Sequence, residues 1–185
     1  MTLTKTPVCE FGKKAEDFKL KSIDNKLISL NDIMGEKATL VMFICNHCPY
    51  VKAIIDDLIE DCKYLKDEGI GSVAIMSNDT INYPEDSFEN MEKFAANHNF
   101  NNIEYLIDDK QEVAKKYGAV CTPDFFGYNK NLKLQYRGRI RELKDLKSIK
   151  NGDSDLKIAM KMISKTQKGP TKQIPSIGCS IKWLS

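Results

Sequence analysis

Two thiols three residues apart, Cys45 and Cys48, with His47 between them and Pro49 behind, form the stretch of this sequence best equipped for chemistry. They lie between the apolar run Ala38–Ile44 and a helical pattern that starts at Tyr50. A strand-to-helix junction, with proline placed to open the helix, aims free backbone N–H groups and the positive end of the helix dipole at the first turn. A cysteine held there is favoured as thiolate, the form that attacks disulfides and peroxides. A Cys-x-x-Cys in that setting reads as a thiol–disulfide site. An ordinary thiol, with a pKa of ~8.5, is only about 3% thiolate at neutral pH, and lowering the pKa to ~7 takes about 2 kcal/mol. The dipole supplies ~0.3–1 kcal/mol. Hydrogen bonds from N–H groups, or a charged His47, are left to supply the remainder. The competing reading is a pair of small buried residues, since cysteine packs well, but Pro49 and His47 are poor choices for filling a core.

The elements that must hold this junction follow from periodicity. Phe18–Ile23 and Lys26–Leu30 alternate around Asp24-Asn25 and predict a β-hairpin. Ala38–Ile44 is continuously apolar, as in a strand buried on both faces. From Pro49, the positions Val51, Ile54, Ile55, Leu58, Ile59, Cys62 and Leu65 keep helical spacing until Gly69. Gly71–Met76 is a second buried strand, and the polar loop Ser77-Asn78-Asp79 follows it. Asp86 and Glu89 read as a capping pair for a helix through Met91, Phe94 and Ala95. Then come a strand at Ile103–Ile107, a helix at Gln111–Tyr117, a hairpin of Asp124–Tyr128 with Lys133–Tyr136, and a last helix around Leu156–Ile163. Alternation in the middle with an antiparallel hairpin predicts an α/β three-layer domain with a mixed central sheet. Ligands of such sheets gather at the carboxyl ends of the parallel strands, the edge that carries Cys48 and the Ser77 loop.

Composition narrows the partners. The 185 residues carry a net charge of only +2, which argues against a nucleic-acid surface. The lysines between Lys144 and Lys172 have helix-face spacing and read as a solvated face. No apolar run reaches membrane-spanning length, and the first seven residues lack the hydrophobic core of a secretion signal. The expectation is a cytoplasmic protein whose six cysteines are free or catalytic rather than a disulfide framework.

Four separated segments, in order, resemble one known branch. Phe43–Lys52, the Ser77-Asn78-Asp79 loop with Tyr83–Ser87, Gly118–Phe126 and Pro175–Trp183 are similar to the thioredoxin superfamily, in the peroxiredoxin-like branch grouped with the alkyl hydroperoxide reductase/thiol-specific antioxidant domain. The resemblance implies a single thioredoxin-like α/β/α domain over residues 1–185, with a core of about residues 12–165 and the segment 166–185 packing on it. It places Cys48 at the nucleophilic position, with the usual second cysteine of thioredoxin falling on Val51. Thr122-Pro123 matches the cis-proline segment that offers backbone hydrogen bonds to an extended substrate, with Pro49 beside it. True peroxiredoxins carry Pro-x-x-x-Thr/Ser-x-x-Cys, and counting back from Cys48 gives Cys45 and Val41 instead. Arg137, Arg139 and Arg141, candidates for a peroxide-binding cation, read as surface charge.

The remaining residues sort by position. Cys62 reads as core, Cys9 is given no role, and Cys179 reads as terminal packing within reach of the site. His47 either stabilises the thiolate and moves a proton or caps the strand. His98 reads as a helix-end surface residue. Cys121, which the resemblance brings beside Cys48 on the cis-proline loop, either packs or resolves Cys48, and as a resolving partner it is preferred to Cys45 because a strand end and a helix cap tend to point Cys45 and Cys48 apart. The first functional expectation is a thiol–disulfide oxidoreductase acting on a protein or small-molecule disulfide, recharged by a thiol reductant, with no cofactor or metal. A peroxidase, and a non-catalytic module binding metal through Cys45, His47, Cys48 and Cys121, are the alternatives.

Overall fold

The computed structural model describes residues 2–185. A short strand, β1 (Leu3–Lys5), precedes the predicted hairpin of β2 (Lys19–Ser22) and β3 (Leu27–Ser29). Asn25 holds the turn at φ 61°, a left-handed conformation that asparagine tolerates. The hairpin does not run on through Leu30. Asp32 accepts the Ser29 backbone N–H (2.8 Å), and the pair closes a capping box that opens the helical turn α1 (Leu30–Ile33).

β4 (Ala38–Phe43) delivers the chain to the junction, and α2 (Pro49–Asp67) leaves it. β5 (Ile70–Met76), α3 (Phe88–Asn97), β6 (Glu104–Ile107) and α4 (Glu112–Tyr117) follow, close to their predicted spans. The two-residue strand β7 (Cys121–Thr122) carries the chain through a cis Thr122–Pro123 bond into β8 (Asp124–Asn129), which turns back as β9 (Leu134–Tyr136). A small hairpin, β10 (Leu143–Lys144) with β11 (Lys147–Ser148), precedes α5 (Asp155–Thr166), and the last strand is β12 (Ile177–Ser180).

Seven strands form the central sheet in the order β3-β2-β6-β5-β4-β8-β9, with β4, β5 and β6 parallel and the flanking pairs antiparallel. The pleat of β4 explains its unbroken apolar sequence, since successive side chains alternate between two buried faces. Leu40 and Met42 pack with α2, α3 and α5. Val41 and Phe43 pack on the other side with α1, α4, Phe18 and Phe126. This is the mixed three-layer α/β/α architecture expected. A second, three-stranded sheet of order β1-β12-β7 stands apart from the first and had no counterpart in the local pattern.

Candidate active site

Cys48 is the residue that caps α2, with Pro49 in the first helical position, and no side-chain oxygen satisfies the helix end. One donor left over by that geometry, the Val51 N–H, bonds the sulfur. The Cys48 thiol is held down to about 5. A hydrogen bond from Cys45 is the largest cause; burial opposes it, and the backbone N–H groups of Cys179 and Val51 and the Cys179 side chain add to it. These thiols share their protons, so Cys48 ionises first and Cys45 is pushed far up. When protonated, the Cys48 thiol donates to the Thr122 carbonyl (3.1 Å), while Cys45 Sγ lies 3.3 Å from Thr122 Oγ1. The expectation that Cys45 and Cys48 point apart is therefore corrected. Cys45 sits just past β4, where it reaches both Thr122 and the helix cap.

Cys121 feels the charge of Cys48 but turns its sulfur elsewhere. Adjacent strand residues face opposite ways, and Thr122 takes the side facing the thiols. Cys121 Sγ turns to the Pro123 carbonyl (3.6 Å), and burial together with the Asp124 carboxylate pushes its thiol far up. In register with Thr122 on the neighbouring strand stands Cys179. Burial and the Cys48 sulfur raise Cys179 to about 12, so it serves Cys48 as a proton-bearing donor. Cys179, rather than Cys121, is thus the distant thiol that shares a hydrogen bond with Cys48.

His47 is oriented by a residue that the local pattern assigns to a helix cap. Asp86, fully buried, lies 2.7 Å from His47 Nδ1 through Oδ2, and Oδ1 accepts the backbone N–H of Asn46 (2.8 Å) and of His47 (3.3 Å). Asn78 Nδ2 donates to the same carboxylate (2.8 Å). Ser87, one residue on, is the true cap of α3. Burial opposes ionisation of Asp86, but His47, Asn78 and the Asn46 N–H outweigh it and hold the carboxyl below its usual range. His47 is raised in turn, chiefly by Asp86 against the cost of burial, with the Cys48 sulfur adding to the effect. Its ring stacks on Tyr83 (5.7 Å between centroids, 9° between planes), and Nε2 is buried without a hydrogen-bond partner. The imidazolium and the Cys48 thiolate thus favour each other.

Among the described residues, Cys45, His47 and Asp86 are the group close enough to share a metal ion, their ligand atoms lying within 4.8 Å of one another. Asp86 already accepts four protein donors, and Cys45 is bound to Thr122 and Cys48, so this set is built for hydrogen bonding. The expected surface role of Arg137 is overturned as well. It is 5% exposed, binds both oxygens of buried Asp124 (2.9 and 3.3 Å) and covers the Phe126 ring. Arg139 pairs with Asp155 and Arg141 with Asp57. Each of the three guanidiniums is committed to an acid. Cys62 lies in the core as expected, burial pushing it up to about 12, and half-buried Cys9 is raised to about 11 for the same reason.

The segment Ile174–Leu184 straps this edge. Ser176 Oγ donates to the Pro123 carbonyl (2.8 Å), Ile181 N–H to Val120 O (3.2 Å) and Lys182 N–H to Asn78 Oδ1 (2.9 Å), while Asp79 N–H donates to Lys182 O (2.8 Å). Beneath the strap Cys48 is 0% exposed.

A model of the AhpC/TSA family matches residues 11–142. No curated protein matches the sequence significantly. Among solved structures, an uncharacterized conserved protein from Geobacillus kaustophilus is 39% identical with a TM-score of 0.94, over 100% of this chain and 97% of that one. A hypothetical protein from Sinorhizobium meliloti is 34% identical with a TM-score of 0.90, over 98% and 99%. The thioredoxin domain of a thiol-disulfide oxidoreductase from Bacteroides vulgatus shares the fold at 19% identity (TM-score 0.58, over 69% and 86%).

Proposed function

The chain belongs to the AhpC/TSA family, and from that premise we propose that it is a cytoplasmic thiol–disulfide oxidoreductase with Cys48 as its nucleophile. A redox function on a thioredoxin-like fold is common ground for the family and its structural neighbours. The observation that carries the finer reading is the thiol cluster. Cys48 is held as thiolate by Cys45, by Cys179 and by the first turn of α2, against burial that would by itself protonate it. Its sulfur attacks one sulfur of a protein or small-molecule disulfide. The substrate S–S bond breaks, a mixed disulfide forms on Cys48, and the other sulfur leaves as a thiolate that takes a proton. His47, held by Asp86 and raised in pKa, stabilises the attacking thiolate in its protonated form. A second thiol then releases the product, and an external thiol reductant restores the protein.

Peroxide reduction is less well supported. The hydroxyl that would sit three residues before the nucleophile is Cys45, and Arg137, Arg139 and Arg141 are all paired with acids. The test compares turnover of dithiobis(nitrobenzoic acid) and of hydrogen peroxide in the presence of a thiol reductant. Faster disulfide turnover, lost in Cys48→Ser, supports the proposal. Peroxide oxidation of Cys48 well above the rate of an ordinary thiol would replace it with the peroxidase reading.

A further inference from the structure

Cys48 cannot be reached from outside as the chain is folded. Its sulfur is covered by Thr122, by Cys45 and by β12, and the residue is fully buried. Cys45 follows directly on central strand β4, and β7 runs straight into β8, which pairs with β4 along its whole length. β12 is different. It belongs only to the small sheet with β1 and β7, so it can leave without breaking a pair of the seven-stranded sheet.

We propose that Cys179 resolves the Cys48 mixed disulfide, and that β12 leaves β7 to admit the substrate and returns to deliver this thiol. The proposal rests on the disulfide-exchange reading above and names the second thiol of that reaction. Residues directly opposite on antiparallel strands share a face, so the pairing of Cys179 with Thr122 sets its side chain on the thiol side, where Cys121 does not point. The two sulfurs already share a hydrogen bond, so a short shift forms the S–S bond. Gly178 makes the approach possible. A Cβ there would lie 2.0 Å from the Thr122 carbonyl oxygen. Two residues earlier, Ser176 ties the strap to the Pro123 carbonyl.

The exchange balances. Cys48 thiolate takes one substrate sulfur and expels the other. Cys179, losing its proton as it attacks, bonds to Cys48 Sγ and expels the first substrate sulfur as a thiol. Two electrons pass from the protein dithiol to the substrate, and an external dithiol returns them by reducing the Cys48–Cys179 disulfide. Because β12 resumes its place on β7 as Cys179 attacks, release of the product chain and formation of the internal disulfide occur together.

Dithiobis(nitrobenzoic acid) tests this in single turnover on the reduced full chain. The wild type is expected to release about two equivalents of thionitrobenzoate in the fast phases and to yield a Cys48–Cys179 linked peptide by mass spectrometry. Cys179→Ser is expected to release about one and to keep the nitrobenzoate adduct on Cys48. Cys45→Ser and Cys121→Ser retain the Cys48–Cys179 link. Gly178→Ala, and the milder Ser176→Ala if the first does not fold, are expected to speed the first release and slow the second. A dominant Cys45–Cys48 or Cys48–Cys121 link that survives in Cys179→Ser overturns the inference and leaves the oxidoreductase reading standing. Fast release that persists in Cys48→Ser overturns that reading itself. A first release unchanged in a folded strap variant refutes the opening of β12.

Discussion

Cys48 and Cys62 lie on the same helix and are both fully buried, yet their thiols are driven in opposite directions, down to about 5 and up to about 12. Cys62 sits mid-helix, where every nearby N–H belongs to the helix ladder, and burial decides its state. Cys48 sits where the ladder has not yet begun, and four donors converge on it. Burial penalises the charge at both places. At Cys48 the Val51 N–H of the first turn acts together with Cys45 and Cys179, which the fold brings from outside the helix, and these donors outweigh the penalty.

The largest effect belongs to Cys48→Ser, which is expected to reduce disulfide exchange to the uncatalysed level while Cys62→Ser keeps it. Turnover of a chromogenic disulfide reads both. Next in size is Asp86→Ala. Removing one partner of a buried, hydrogen-bonded pair costs about 3–5 kcal/mol, seen in denaturant unfolding, and a magnetic-resonance titration of His47 should show its pKa falling from the raised position. Cys45→Ala removes the largest single cause of the Cys48 shift. A charge-assisted hydrogen bond is worth ~1.5–3 kcal/mol, so the midpoint of Cys48 alkylation is expected to rise by about 1–2 pH units. In the wild type that midpoint lies near 5. The sign for stability follows from the depressed pKa. The contribution of Cys48 ionisation is full above its ordinary value of 9.0 and is lost as the pH falls through about 5. Smallest is Cys62→Ala, expected to cost about 1–1.5 kcal/mol in thermal unfolding and to leave the pH profile of Cys48 unmoved.

The junction itself was legible because its determinants are local. An apolar strand, a proline at the helix start and a cysteine before it occupy consecutive positions, and the fold places them as the spacing requires. What the sequence hid depends on pairing across long distances. Asp86 fits a cap pattern with Glu89, but Ser87 one residue later accepts the Asn90 N–H and caps the helix, which leaves Asp86 to turn toward His47 from 39 residues away. Cys121 stands next to Thr122, but the pleat sends the two side chains to opposite sides. Arg137 looks like surface charge until Asp124, after the cis-proline, is seen to need a partner in the core. Cys179 gains its place through strand pairing with Thr122, 57 residues earlier, for which no short-range pattern exists.

The pairing of β12 with β1 joins the first of the described strands to the last. During synthesis β1 therefore waits for its neighbour until every other element described has left the ribosome. Through that interval Cys48 has its helix and Cys45 but neither the N–H nor the thiol of Cys179, and nothing shields it on that side. Until that strand pairs, Cys48 stands open on that side to whatever oxidants and thiols surround the nascent chain.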